Sequence, residues 1–187
     1  MKKQLLILLG IVLFAIPCEA VSKIYVAPET SITWTDSGGD EVLDLGSLAA
    51  DGLVMGSYHD MGSASHASDC MLEVTIDGFD TAPVVGEAVN VYLSFSNATT
   101  NFDGNPTIDP QDATAGTITA AQVDNCLFVG SLIVYSTTAG DELKNTFHVS
   151  VKSRYVSVII ENATADALLG TADAHTIDLT PIPYESQ

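Results

Sequence analysis

The chain has 187 residues, with 24 Asp and Glu against 6 Lys and Arg and a formal charge of -18. That balance argues against a nucleic-acid partner, because phosphate backbones are held by clustered Lys and Arg. A hydrophobic share of 47% excludes a wholly disordered acidic chain, which would lack the apolar side chains needed to offset ordering entropy.

Met1, Lys2 and Lys3 precede an apolar run from Leu5 to Ile16, followed by Pro17, Cys18, Glu19 and Ala20. This is the layout of a secretory signal peptide, with Ala20 before the cut. The run falls short of the roughly 20 apolar residues of a membrane span. Residues 1–20 therefore read either as a cleaved leader or as a retained apolar arm or anchor, and any membrane contact is confined to them. Residues 21–187 form one predicted domain with 23 acidic and 4 basic residues. Cys70 and Cys126 lie in it, and two readings stand side by side: one disulfide of an exported protein, or two buried thiols.

From Ser22 onward, short β-rich runs alternate with Gly, Asp, Asn, Ser and Pro. Strands are expected at Ser22 to Ala27, Ser31 to Thr35 and Glu41 to Leu45, with a tight turn over Asp36-Ser37-Gly38-Gly39-Asp40. Leu48 to Asp69, broken by Gly52, Gly56 and Gly62, reads as a surface excursion holding one short strand. Cys70 to Ile76 alternates cleanly, Leu72, Val74 and Ile76 against Met71, Glu73 and Thr75, which predicts one dry face and one wet face. Glu87 to Phe95 repeats the pattern. Ser96 to Ala115 reads as the most exposed loop, its length weakly suggesting an interface.

Cys126 to Ser136 is the strongest apolar run, expected at the centre of a sheet, with Gly130 marking a bulge or a close approach. Asn145 to Lys152, Arg154 to Glu161 and His175 to Pro181 complete the set. Eight to ten strands with too few helices to cover a parallel sheet predict an all-β fold. The expected form is an antiparallel β-sandwich, jelly-roll-like in its economical version.

Reactive motifs are sparse. His59, Asp60, His66, Asp69 and Cys70 come nearest to a catalytic or transition-metal cluster, but their spacing matches no strong zinc pattern. The chain has no Gly-x-Ser-x-Gly elbow and no phosphate-binding glycine fingerprint. Asp103, Asn105, Asp109 and Asp112 are weak calcium candidates, since hard cations favour several oxygens from one loop. Thr114 stands where the helix-loop-helix pattern requires a bidentate Glu, so the bland alternative is a solvated acidic loop. Asp36, Asp40 and Glu41 form a second acidic cluster with the same two readings. Asn97-Ala98-Thr99 and Asn162-Ala163-Thr164 satisfy the minimal glycosylation rule and read as ordinary turns. Trp34 is placed as a plug at the edge of the core.

The run Ser31-Ile32-Thr33-Trp34-Thr35-Asp36-Ser37-Gly38-Gly39, with Leu43 to Gly46 behind it, resembles the opening of a family of small structural proteins encoded by tailed bacteriophages. Phe79 to Tyr92 is similar to that family's middle segment, Val129-Gly130-Ser131-Leu132 to its central strand and Ile177 to Pro181 to its terminal strand. The resemblance implies a virion component, of head-decoration or minor-capsid type, that is not an enzyme. It also implies major capsid or other virion proteins as partners, and several copies on a symmetric shell. An export-like leader departs from that pattern and reads there as an arm docking on a neighbouring subunit. Taken without the resemblance, the residues point first to a secreted or cell-surface β-sandwich that binds a ligand or adheres, and only distantly to a carbohydrate-active enzyme.

Overall fold

The computed structural model describes residues 30–37, 39–62, 68–105, 108, 110, 118–171 and 174–182. Residues 1–20, the expected strand Ser22 to Ala27, His66, Asp109 and Asp112 lie outside them. The strands, in chain order, are β1 (Ile32–Thr35), β2 (Glu41–Val42), β3 (Gly52–Met55), β4 (His59–Asp60) and β5 (Asp69–Ile76), then β6 (Ala88–Ser96), β7 (Leu127–Ile133), β8 (Leu143–Ser150), β9 (Tyr155–Ala163) and β10 (Thr176–Pro181). A 3-10 turn at Phe102–Gly104 and a short helix at Ala120–Val123 fall between β6 and β7.

Two sheets form, in the orders β2-β1-β10-β5-β8 and β3-β9-β6-β7, with β4 also paired to β9. Neighbours run antiparallel except β1 and β2, which are parallel. The pairing is nested: β1 with β10, β3 and β4 with β9, β5 with β8, and β6 with β7. The chain is thus a mostly antiparallel β-sandwich, as its strand count predicts.

Why these runs become strands is clearest in β5. Cys70, Leu72, Val74 and Ile76 are fully buried, while Asp69, Met71, Glu73 and Thr75 are half-buried. That is the period-two alternation of a strand with one dry face. The dry side meets Val89, Val91 and Leu93 of β6 and Val156, Val158 and Ile160 of β9 in one core. Each such side chain contributes about 1.5–3 kcal/mol on burial, against the entropy of ordering it. Strand β9 is dry on both faces. Its Ile160 stands opposite Val91 in the core, and its Ile159 stands opposite Tyr92 on the outer side. There Ile159 and Tyr155 join Met55, Phe102, Ile108, Ile118 and Val123 in a second apolar cluster.

Three expectations change here. The segment Ser96 to Ala115 is not simply an exposed loop, because Phe102 and Ile108 are fully buried against the outer face of the second sheet. The apolar run Cys126 to Ser136 is not central: among the described residues β7 ends its sheet, and β9 and β6 hold the middle. The stretch after Leu48 is more than an excursion, since β3 and β4 both pair with β9 and Met55 and Ser57 are fully buried.

Trp34 is the plug the sequence implied. It is fully buried, and its indole N–H donates to the Ser57 carbonyl at 2.9 Å. A side chain at Gly56 would put its Cβ 2.9 Å from Trp34 Cδ1, so the ring needs glycine beside it.

Candidate functional site

The first calcium candidate is occupied by its own scaffold. Asn101 and Asp103 both adopt left-handed backbone, which turns Asp103 inward. Its Oδ2 accepts from Ser94 Oγ at 2.5 Å and its Oδ1 from the Phe95 N–H at 3.2 Å. The Asn105 N–H donates to the Phe102 carbonyl at 2.9 Å, tightening the same loop. A cation on Asp103 would have to take the carboxylate from the fully buried Ser94. Asp109 and Asp112 are outside the described residues. Among the described residues no group of three or more His, Cys, Asp and Glu is placed to hold a metal ion.

The acids near the glycine turn are likewise separated by their duties. Asp36 Oδ1 accepts from the Leu45 N–H at 3.1 Å and Asp40 Oδ2 from the Thr33 N–H at 3.1 Å. Glu41 faces the opposite edge strand: its Oε2 accepts from Ser57 Oγ at 2.6 Å, and His59 Nδ1 lies 2.9 Å from its Oε1. Ser, Glu and His thus meet, but in the wrong order for a nucleophile. The carboxylate sits between serine and histidine, whereas an activated hydroxyl needs the imidazole as its base. Ser57 is fully buried, and its oxygen also accepts from the Val42 N–H at 2.9 Å. The group therefore works as a clamp between β2 and β4.

Beside the clamp, Arg154 grips Asp60 through two hydrogen bonds of 2.8 and 2.7 Å and lies 4.9 Å from the centre of the Tyr155 ring. Chiefly because of the Arg154 hydrogen bond, the Asp60 carboxyl is held at about 2, below its ordinary 3.8. Thr30, Ile32, His59, Asp60 and Met61 line a cavity of about 200 Å³ here, below the roughly 300–1,000 Å³ of typical ligand pockets.

Cys70 and Cys126 are thiols and do not pair with each other. Cys70 is in the main core, while Cys126 packs on the outer cluster, so the second sheet stands between them. Burial, reinforced by the charge of Asp103, pushes the Cys126 thiol up to about 12, which removes it as a nucleophile near neutral pH. The Asn162 side chain is fully buried. It donates to the carbonyls of Leu48, Ala49 and Asp166 at 3.0, 3.1 and 2.8 Å, so this sequon is a turn clamp in the folded chain.

On the outer face of the second sheet, Asn90 Nδ2 and Tyr92 OH both donate to Glu161 Oε2, at 2.8 and 2.9 Å. Ser131 Oγ donates to Asn90 Oδ1 at 2.6 Å. Burial first, and then the Glu161 hydrogen bond, raise the Tyr92 hydroxyl to about 12. Phe128 packs on Tyr92 with ring centres 5.3 Å apart.

Phe128 opens the feature that sequence reasoning assigned to the wrong place. Leu127, Phe128 and Ile133 on β7 and Tyr135 just past its end are 46%, 54%, 55% and 64% exposed. The Gly86 N–H donates to the Val134 carbonyl and the Val134 N–H to the Glu87 carbonyl, each at 2.9 Å. These bonds bring the half-exposed Val84 and Val85 to the end of the same strip. Leu127 to Ser136 contains no charged residue in a chain of charge -18. By contrast β8, an end strand of the first sheet, carries Lys144, bridged to Glu73 at 2.6 Å, and the exposed His148. The available signal was the missing charge in an otherwise acidic chain, which marks an exposed apolar strip as readily as a core. Compared with family models and with curated proteins, the sequence matches neither.

Proposed function

We propose that this chain is a non-enzymatic virion structural protein, a capsid decoration or minor capsid component, that stabilises a shell through protein contacts. The observation that carries the reading is the uncharged strip of β7, an apolar edge that lacks the charge and proline by which edge strands are ordinarily blunted and has only a bulge opposite Val91 and Tyr92. The polar groups that looked most like site residues support it from the other side. Asp103, Glu41, Ser57 and Asn162 each hold backbone or side chains of their own domain.

The segments that resemble phage structural proteins fall on scaffold, namely β1 and its turn, the entry into β6, the middle of β7, and β10. The finer reading of the sandwich as a jelly roll is supported by the nested pairing, the order produced when one long hairpin is rolled into two sheets. In this account residues 1–20 act as an arm on a neighbouring subunit.

Mass spectrometry of purified particles tests the proposal. The expected result is this chain at a fixed ratio to the major shell protein, with residue 1 retained. Its absence from particles, together with an exported form starting at Val21, would reject the virion reading and leave the secreted binding protein in its place.

A further inference from the structure

We propose that β7 is a self-association edge: two copies pair β7 against β7 in antiparallel fashion about a two-fold axis near Ser131, making one continuous sheet from two β3-β9-β6-β7 sheets. The partner is a second copy because the strip is self-complementary. In the β6 ladder, Phe128 stands opposite Tyr92, Gly130 opposite Val91, Ser131 opposite Asn90, Leu132 opposite Val89 and Ile133 opposite Ala88, with a register shift between Val91 and Tyr92. Val129 is therefore the extra residue of a bulge. Its effect is to set Phe128 and Ile133 each two ladder positions from Ser131, on the same outer face. A two-fold axis at Ser131 then lays Phe128 of one copy against Ile133 of the other, and Gly130 against Leu132. Such a reciprocal match is what an isologous contact requires.

Charge and area set the strength. The strip carries no charge while each copy carries -18, so distant repulsion opposes pairing and salt strengthens it. Six half-exposed apolar side chains and a seven-residue strand fall short of the roughly 20–30 residues per side of a standard interface. Isolated pairs should dissociate at about 10 μM to 1 mM, and the contact would gain its weight from repetition in an assembly. Its biological role rests on the virion reading; its geometry does not.

The test is sedimentation equilibrium of the full chain across that concentration range, with Ile133→Glu and Phe128→Lys as variants whose thermal melts confirm folding. The expected result is a monomer–dimer equilibrium strengthened by salt and weakened roughly tenfold or more by either variant. Ser131→Cys, bridged by a short bismaleimide, should yield a peptide joined to itself through position 131, whereas Thr146→Cys on β8 should not. A chain that stays monomeric throughout, a dimer indifferent to both variants, or bridging at 146 in preference to 131 would overturn the proposal. A dimerising chain absent from particles would sink the virion reading alone, and a monomeric chain present in particles would sink this inference alone.

Discussion

The two sides of the sandwich are finished on opposite plans. At the β2/β4 side, residue 57 ties one sheet to the other: its N–H donates to the Val42 carbonyl, its hydroxyl serves Glu41 and the Val42 N–H, and its carbonyl receives Trp34. The strands there are two residues long, Arg154 pairs with Asp60, and His59 lies against Glu41. At the β7 side a seven-residue strand ends its sheet among the described residues, with Leu127, Phe128 and Ile133 half in water. A short, polar, cross-bonded edge has no use for a partner strand, whereas a long uncharged one invites it. The contrast is what the proposed contact at β7 rests on.

Breaking the sealed side should cost most. Trp34→Ala empties a fully buried ring site and orphans the Ser57 carbonyl, with an expected loss of about 3–5 kcal/mol, read as a lower urea midpoint at unchanged slope. Ser57→Ala keeps the volume but strands the Val42 N–H and one Glu41 oxygen, for about 1–3 kcal/mol in the same measurement. At the open side, Gly130→Val places a Cβ 2.4 Å from the Phe147 ring and should cost about 1–2 kcal/mol. A double-mutant cycle with Phe147→Leu should recover part of that loss.

The smaller effects sharpen the contrast. Ile133→Glu should leave monomer stability within about 0.5 kcal/mol, as befits a half-exposed edge position, while acting on self-association. The Asp60–Arg154 pair loses its contribution on acidification. Asp60 titrates lower in the fold than in the unfolded chain, so its stabilisation is complete above the unfolded carboxylate's pKa and is lost as pH falls toward about 2. Both partners are more than a third exposed, so solvent screening keeps the effect small. Urea midpoints of Asp60→Asn and the parent should differ slightly at pH 6 and converge near pH 2.

How much of this was legible in the sequence follows from periodicity. β5 was readable because Leu72, Val74 and Ile76 alternate with Met71, Glu73 and Thr75, and a strand with one wet face prints that alternation directly. β7 was misplaced because an apolar run has the same appearance whether it lies in the middle of a sheet or along its edge. Phe102 and Ile108 were hidden among Asn, Asp and Pro, whose turn chemistry dominates the local pattern while two large side chains do the packing. Ser57 could not be picked out either, since its value lies in contacts with Trp34 and Val42, 23 and 15 residues away. The calcium candidates were drawn from residue type alone. Asp103 turns to Ser94 through a left-handed backbone that spacing does not encode.

Amide hydrogen exchange followed at low and high protein concentration tests the division between the two sides most directly. Amides around residues 42 and 57 should be equally protected at both. The β7 amides that point away from β6 should gain protection only in the concentrated sample, while those bonded across the β6 ladder, and the Val134 N–H bonded to Glu87, stay protected throughout. Protection of the outward β7 amides that is the same at both concentrations would contradict the account.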